Sequence, residues 1–211
     1  MKMSKNRFIS FEGIDFSGKT TQIQLLTEKL IQQGQKVMVI REPGGTVISE
    51  HIRNILLNKE HKEMTPICEL LLYNAARHQL IKEKIIPALQ SGSFVLADRF
   101  VDSTTAYQGF GRKISKKLVN EINNSVTRGC MPTITFYLDL KPEDIIDRRE
   151  FRNTTADRLE STGDKFYQRV YEGYHKIADK NKSRIKILNA KQTIDQISLK
   201  IWTYVKKIYH L

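Results

Sequence analysis

The segment Gly13-Ile14-Asp15-Phe16-Ser17-Gly18-Lys19-Thr20 constrains this chain more than any other. It fits G-x-x-x-x-G-K-[ST], a phosphate-binding loop. The glycines let the backbone curl so that successive N–H groups converge on phosphate oxygens. The helix that follows points its positive end at the same anion. In this pattern Lys19 reaches the β- and γ-phosphates, and the Thr20 hydroxyl can ligate Mg²⁺. The loop requires a strand before it and a helix after it. Arg7-Phe8-Ile9-Ser10-Phe11-Glu12 reads as that strand, and Ile23, Leu26 and Leu30 carry helical spacing behind the loop. The expectation is a nucleoside triphosphate site in an α/β fold.

The rest of the chain repeats this alternation. Lys36–Ile40, Ser93–Ala97, Thr133–Leu138 and, more weakly, Arg184–Leu188 read as further strands. Helical stretches fall at about 19–33, 47–58, 66–90, 115–128, 142–152, 161–181 and 192–209. Such an order predicts a mostly parallel sheet of about five strands with helices on both faces, the P-loop NTPase fold. Ligands of such sheets bind beyond the carboxyl ends of the strands, which directs attention to Gly13, Arg41, Asp98 and Asp139 onward. No repeat or interdomain linker divides the chain, so residues 1–211 read as a single domain. The polar run Glu150–Gly163 is the candidate for a mobile insertion, a lid at about 142–163.

Composition removes other classes. With 40% hydrophobic and 27% charged residues the chain is neither disordered nor membrane-spanning, and no apolar run reaches the length of a span. The amino-terminal residues lack a signal-peptide core, and Cys68 and Cys130 form no C-x-x-C pair. The expectation is a cytoplasmic protein with unpaired thiols. Lys+Arg exceeds Asp+Glu by 35 to 23, a net charge of +12, which suits a phosphate-bearing partner without choosing among nucleic acid, a small polyphosphate and a plain lysine bias.

Asp98 ends the third strand beside Arg99. A carboxylate at a strand tip next to such a loop can hold a Mg²⁺-bound water. The chain lacks the N-K-x-D segment of guanine-reading switches, and it is too short for a paired-domain helicase motor. Arginines at several strand ends suggest a nucleoside monophosphate kinase.

More specific segments follow in order: Arg41-Glu42-Pro43-Gly44-Gly45-Thr46 after the second strand, Tyr73-Asn74-Ala75-Ala76-Arg77 within a helix, Asp98-Arg99-Phe100, Ser103 to Arg112 (S-T-T-A-Y-Q-G-F-G-R), and Asp157-Arg158-Leu159-Glu160 in the polar insertion. Together they resemble the bacterial thymidylate kinase family from about Phe8 to Tyr174. The resemblance implies Mg²⁺-dependent transfer of a phosphoryl group from ATP to dTMP, giving dTDP, by a homodimer. It implies that Arg99 holds the acceptor phosphate, a grip suited to a planar guanidinium. Arg77 donates to a thymine carbonyl, Tyr73, one helical turn earlier, stacks on the base, Tyr107 packs where a ribose 2′-hydroxyl would project, and Gln108 brings an amide near the base. Asp15 approaches the sugar 3′-hydroxyl and the metal waters. Arg148, Arg149 and Arg152 belong to a lid over the transferring group. Some relatives carry an arginine in the loop where Phe16 stands, so the lid arginines would meet the transition-state charge. Neither a nucleic acid nor a membrane is expected as a partner. The nearest rival is a P-loop kinase for another small acceptor, such as a different nucleotide or a shikimate-like alcohol; a nucleic-acid-binding ATPase and an acceptor-independent ATP switch are the competing classes.

Overall fold

The structure, a computed structural model, describes residues 6–145, 158 and 163–211. Five strands form one wholly parallel sheet: β1 (Phe8–Glu12), β2 (Val37–Arg41), β3 (Phe94–Asp98), β4 (Ile134–Asp139) and β5 (Ile185–Asn189), in the spatial order β2-β3-β1-β4-β5. The three inner strands are buried along almost their whole length, which is why they read as unbroken apolar runs. The edge strands β2 and β5 mix buried, half-buried and exposed positions. Two polar residues inside the sheet find each other: the Ser10 and Thr135 hydroxyls lie 2.7 Å apart across β1 and β4.

The helices are α1 (Lys19–Gln32), α2 (Val47–Leu57), α3 (Pro66–Leu80), α4 (Ile86–Gln90), α5 (Val101–Thr104), α6 (Lys116–Thr127), α7 (Asp164–Lys180) and α8 (Ile194–Tyr209). Ile9 and Phe11 face a core with Leu26 and Leu30 of α1, Val170 and Tyr174 of α7 and Val205 of α8. Phe8 points the other way, into a core with Ile40, Leu80, Ile81, Ile85, Val95 and Phe100. This period of two along β1 gives the sheet its two covered faces.

Two features differ from the sequence expectation. The helix expected over 66–90 is interrupted by a π turn at Ile81–Ile85, and helical spacing predicts no element between Asp98 and residue 115, where α5 runs into a π-helical segment, Thr105–Gly111. Glycines and β-branched residues make this stretch a poor helix by propensity. Tertiary packing decides instead: a Cβ on Gly111 would meet the Phe166 ring at 2.5 Å, so the glycine lets the segment lie against α7. Of the helix expected at 142–152, the described residues include a 3₁₀ turn, Pro142–Asp144, followed by Ile145.

Candidate active site

The connection after β1 runs toward β2 on one side of the sheet and the connection after the neighbouring β4 runs toward β5 on the other, so a crevice opens at their carboxyl ends. The phosphate loop occupies that crevice. Gly13 has φ 140°, and a Cβ there would meet the Leu138 carbonyl at 2.7 Å and the Ser17 hydroxyl at 2.8 Å. Gly18, at φ 94°, forms the left-handed cap from which α1 starts. Phe16 holds a left-handed conformation as well, at φ 61°. The Lys19 ammonium lies over the loop, donating to the Gly13 and Ile14 carbonyls at 3.2 and 3.1 Å. Burial, with Arg99 next, pushes its pKa down to about 8. Ser17 Oγ is buried and has no hydrogen-bond partner among the described residues. The Thr20 hydroxyl donates to Asp98 Oδ2 at 3.1 Å, which joins the two sequence-predicted metal positions.

Arg99 follows Asp98 in a left-handed conformation, φ 72°, and this turns its side chain back toward the loop. Nη2 donates to Asp15 Oδ1 at 2.6 Å, and Nη1 donates to the Gly13 carbonyl at 2.8 Å. A guanidinium has five N–H groups. Among the described residues the Nε–H and one Nη2–H of Arg99 make no hydrogen bond of good geometry, although the guanidinium lies close enough to the Tyr107 hydroxyl to interact with it. The group also lies over the Tyr107 ring, 5.1 Å from its centroid. Burial pushes the Asp15 carboxyl up, but Arg99 and Lys19 outweigh it and hold the group below the usual carboxylate range.

A cleft with a cavity of about 110 Å³, open to solvent on one side, lies beside this cluster. Asp15, Tyr73, Arg77, Arg99, Tyr107 and Gln108, all of them predicted, line it together. The π segment explains two of these, because its wider turn buries Tyr107 and Gln108 in succession. Tyr107 Oη is buried with no hydrogen-bond partner among the described residues, and burial pushes its phenol well above the ordinary value.

Arg77 and Gln108 have protein partners as well. Arg77 is 2% exposed. Its Nε lies 2.8 Å and its Nη2 2.6 Å from Glu42 Oε2, Nη2 donates to the Phe100 carbonyl at 3.1 Å, and Nη1 makes longer contacts to Asn123 and Asn74 at 3.3 and 3.5 Å. Gln108 Nε2 donates to Glu69 Oε1 at 2.9 Å. Glu69 also receives Arg112 through two bonds and Arg158 through one, so a single buried carboxylate ties α3 to the π segment and to Arg158. Arg148, Arg149 and Arg152 fall outside the described residues.

Sequence reasoning assigned no role to Glu12, Glu42, Glu69, Ser103, Thr104 or Tyr174. Ser103, Thr104 and Glu42 line the cleft. The available signal was Glu12 itself, an acidic residue closing an otherwise apolar strand next to the loop. The arrangement brings a triphosphate cradle within reach of a second anion site: one lysine, one part-filled guanidinium fork and hard-oxygen donors for a metal, beside a pocket with an aromatic wall.

Comparison with known proteins adds to this geometry. The family model described as thymidylate kinase matches residues 11–201. The thymidylate kinase of Chlorobaculum parvum is 45% identical over 201 residues, covering 92% of each chain. That of a Thermoanaerobacter species is 44% identical over 203 residues, covering 96% of this chain and 98% of its own. The crystal structure of the thymidylate kinase from Ehrlichia chaffeensis superposes with a TM-score of 0.76 at 35% identity, covering 94% of this chain and 97% of that one.

Proposed function

The chain belongs to the thymidylate kinase family, and from that premise we propose how its own residues carry the reaction. The enzyme transfers the γ-phosphoryl group of ATP to dTMP, giving dTDP for dTTP synthesis. The observation that carries the residue assignment is the part-filled fork of Arg99, which shares Asp15 and the Gly13 carbonyl with the phosphate loop.

The ATP phosphates lie in Gly13–Thr20, with Lys19 against the β- and γ-phosphates. The acceptor phosphate of dTMP takes the remaining Nε–H and Nη2–H of Arg99 as a bidentate pair. Asp15 faces the sugar 3′-hydroxyl, Tyr73 stacks on the base, and Tyr107 closes the space a 2′-hydroxyl would need. Arg77 reaches a thymine carbonyl through Nη1, whose protein contacts are its longest. Gln108 turns its carbonyl oxygen to the base, since Glu69 holds its amide nitrogen. The acceptor is already an anion near neutral pH, so no strong general base is required. The rate comes from alignment of two polyanions and neutralisation of their charge. Arg148, Arg149 and Arg152, in a lid at about 142–163, complete that neutralisation.

The Thr20 hydroxyl and the Asp98 carboxylate fit a Mg²⁺ ion, because both are hard oxygen donors already adjacent at the loop. When bound, the ion neutralises phosphate charge, the one contribution assigned to it.

A single domain spans residues 1–211 in this reading, and the protein works in the cytoplasm as a homodimer. Among the described residues no helix is long and apolar enough to cross a membrane, and both cysteines are unpaired. The dimer reading is supported by an uncovered apolar surface. Ile48 and Ile55, seven apart, share one face of α2, and Ile67 and Leu71, four apart, share one face of α3, all between 43% and 52% exposed.

ADP release from ATP and Mg²⁺ with each nucleoside monophosphate in turn, against a no-acceptor control, tests the substrate assignment. Turnover with dTMP yielding dTDP is expected, and acceptor-independent release would refute it. Arg99→Ala should retain ATP binding and lose dTMP phosphorylation; unimpaired turnover would remove the role given to Arg99.

A further inference from the structure

Glu12 closes β1 one residue before the phosphate loop, and its side chain is fully buried. Oε1 accepts the Phe100 N–H at 2.8 Å. Oε2 accepts the Ser103 hydroxyl at 2.5 Å and the Tyr174 hydroxyl at 3.1 Å. The two hydroxyls are 2.8 Å apart, and Arg99 Nη1 donates to both, at 3.3 and 3.4 Å. A hydroxyl has one proton and two lone pairs. With the protons of Ser103 and Tyr174 drawn toward Glu12, their lone pairs are left to face the guanidinium. The Phe100 N–H bond adds a second hold, since it fastens the peptide immediately after Arg99, whose left-handed backbone is unfavourable for a residue with a Cβ unless its surroundings enforce it.

We propose that Glu12 is the positioning residue for Arg99, fixing both the backbone turn and the side-chain direction that present the guanidinium fork to the acceptor phosphate. The proposal rests on the reading of Arg99 as the dTMP phosphate ligand. Ser103 and Tyr174 are the intermediaries, contributed by α5 and α7, so the fork is aimed by three elements that meet only in the folded chain. An apolar residue at position 12 would fill β1 equally well, yet it would leave one buried N–H and two buried hydroxyls to find other acceptors.

Glu12→Gln tests this with almost no change of shape. Glutamine offers one acceptor oxygen where two are in use. If its carbonyl meets the Phe100 N–H, its NH₂ faces the two hydroxyls and forces them to accept. If its carbonyl meets the hydroxyls, its NH₂ opposes the Phe100 N–H. Either arrangement disturbs the hold on Arg99. Dissociation constants for dTMP and for thymidine, which lacks the phosphate, should be measured by calorimetry for the wild type, E12Q, R99A, the double variant and Y174F. E12Q should weaken dTMP by about tenfold and leave thymidine within about twofold. In the R99A background E12Q should add nothing further. Y174F, which keeps the ring and Glu12 but removes one intermediary hydroxyl, should weaken dTMP selectively by a smaller factor, and it carries the test alone if E12Q does not fold. Equal loss of dTMP and thymidine, or full additivity of E12Q with R99A, would overturn the proposal. If R99A weakens dTMP but E12Q and Y174F do not, this inference fails and the phosphate reading of Arg99 stands. If R99A itself leaves dTMP binding intact, both fall.

Discussion

Replacing Glu69 by alanine should destabilise the protein far more than any surface charge deletion, and the structure gives the size. The Glu69 side chain is 1% exposed, and its two arginine partners, Arg158 and Arg112, are 9% and 19% exposed. Four hydrogen bonds converge on it: Gln108 at 2.9 Å, Arg112 at 3.1 and 3.0 Å, and Arg158 at 2.7 Å. Breaking a buried pair by removing one partner costs about 3–5 kcal/mol, because the other charge stays behind without compensation. Arg112 can turn partly toward water and Arg158 keeps its bond to the Leu56 carbonyl, so the lower end of that range, about 3–4 kcal/mol, applies here. For a chain of this size that corresponds to a Tm lower by about 6–16 °C. The matched control is Glu143→Ala, which removes the partner of Lys141 where the two side chains are 72% and 57% exposed, and its effect should be ~0–1 kcal/mol. Urea unfolding followed by circular dichroism at one protein concentration gives both numbers, with unchanged m-values certifying the comparison. A loss below about 1 kcal/mol for E69A, or equal losses for the two variants, would refute the argument that burial sets the worth of these pairs.

Other outcomes follow from the same geometry. Burial lowers the Lys19 pKa from 10.5 to about 8, so its unfavourable contribution is relieved between those values and stability should rise there, a rise absent from Lys19→Met in unfolding measured across that window. Asp98→Asn should raise the Mg²⁺ concentration for half-maximal turnover by about tenfold, with dTMP affinity unchanged in calorimetry; unchanged metal dependence would remove Asp98 from the metal site. Leu71→Glu, which puts a charge on the uncovered face of α3, should yield monomers in analytical ultracentrifugation, and an intact dimer would move the interface elsewhere.

Local chemistry was enough for the loop and the strands. Gly13, Gly18, Lys19 and Thr20 shape the loop through backbone curl and side chains adjacent in sequence, so their spacing is enough to reveal it. The inner strands are buried on both faces, and the runs Phe8–Phe11 and Ile134–Leu138 show it directly. By contrast, the helical course of 101–111 depends on Gly111 lying against Phe166, a contact across more than fifty residues that outweighs weak helix propensity. The site divides in the same way. Arg99, Tyr107 and Arg77 are recognisable from the segments that carry them, but their directions are decided by partners from distant parts of the chain: Ser103 and Tyr174 with Glu12 for Arg99, and Glu42 and the Phe100 carbonyl for Arg77. The amino-acid order by itself determined a parallel α/β sheet with a triphosphate loop and the set of side chains around it. Which donors of those side chains remain open to substrate, and which are consumed by buried carboxylates, was decided only by tertiary structure, because a hydrogen bond is satisfied by proximity in space and leaves no periodicity in the sequence.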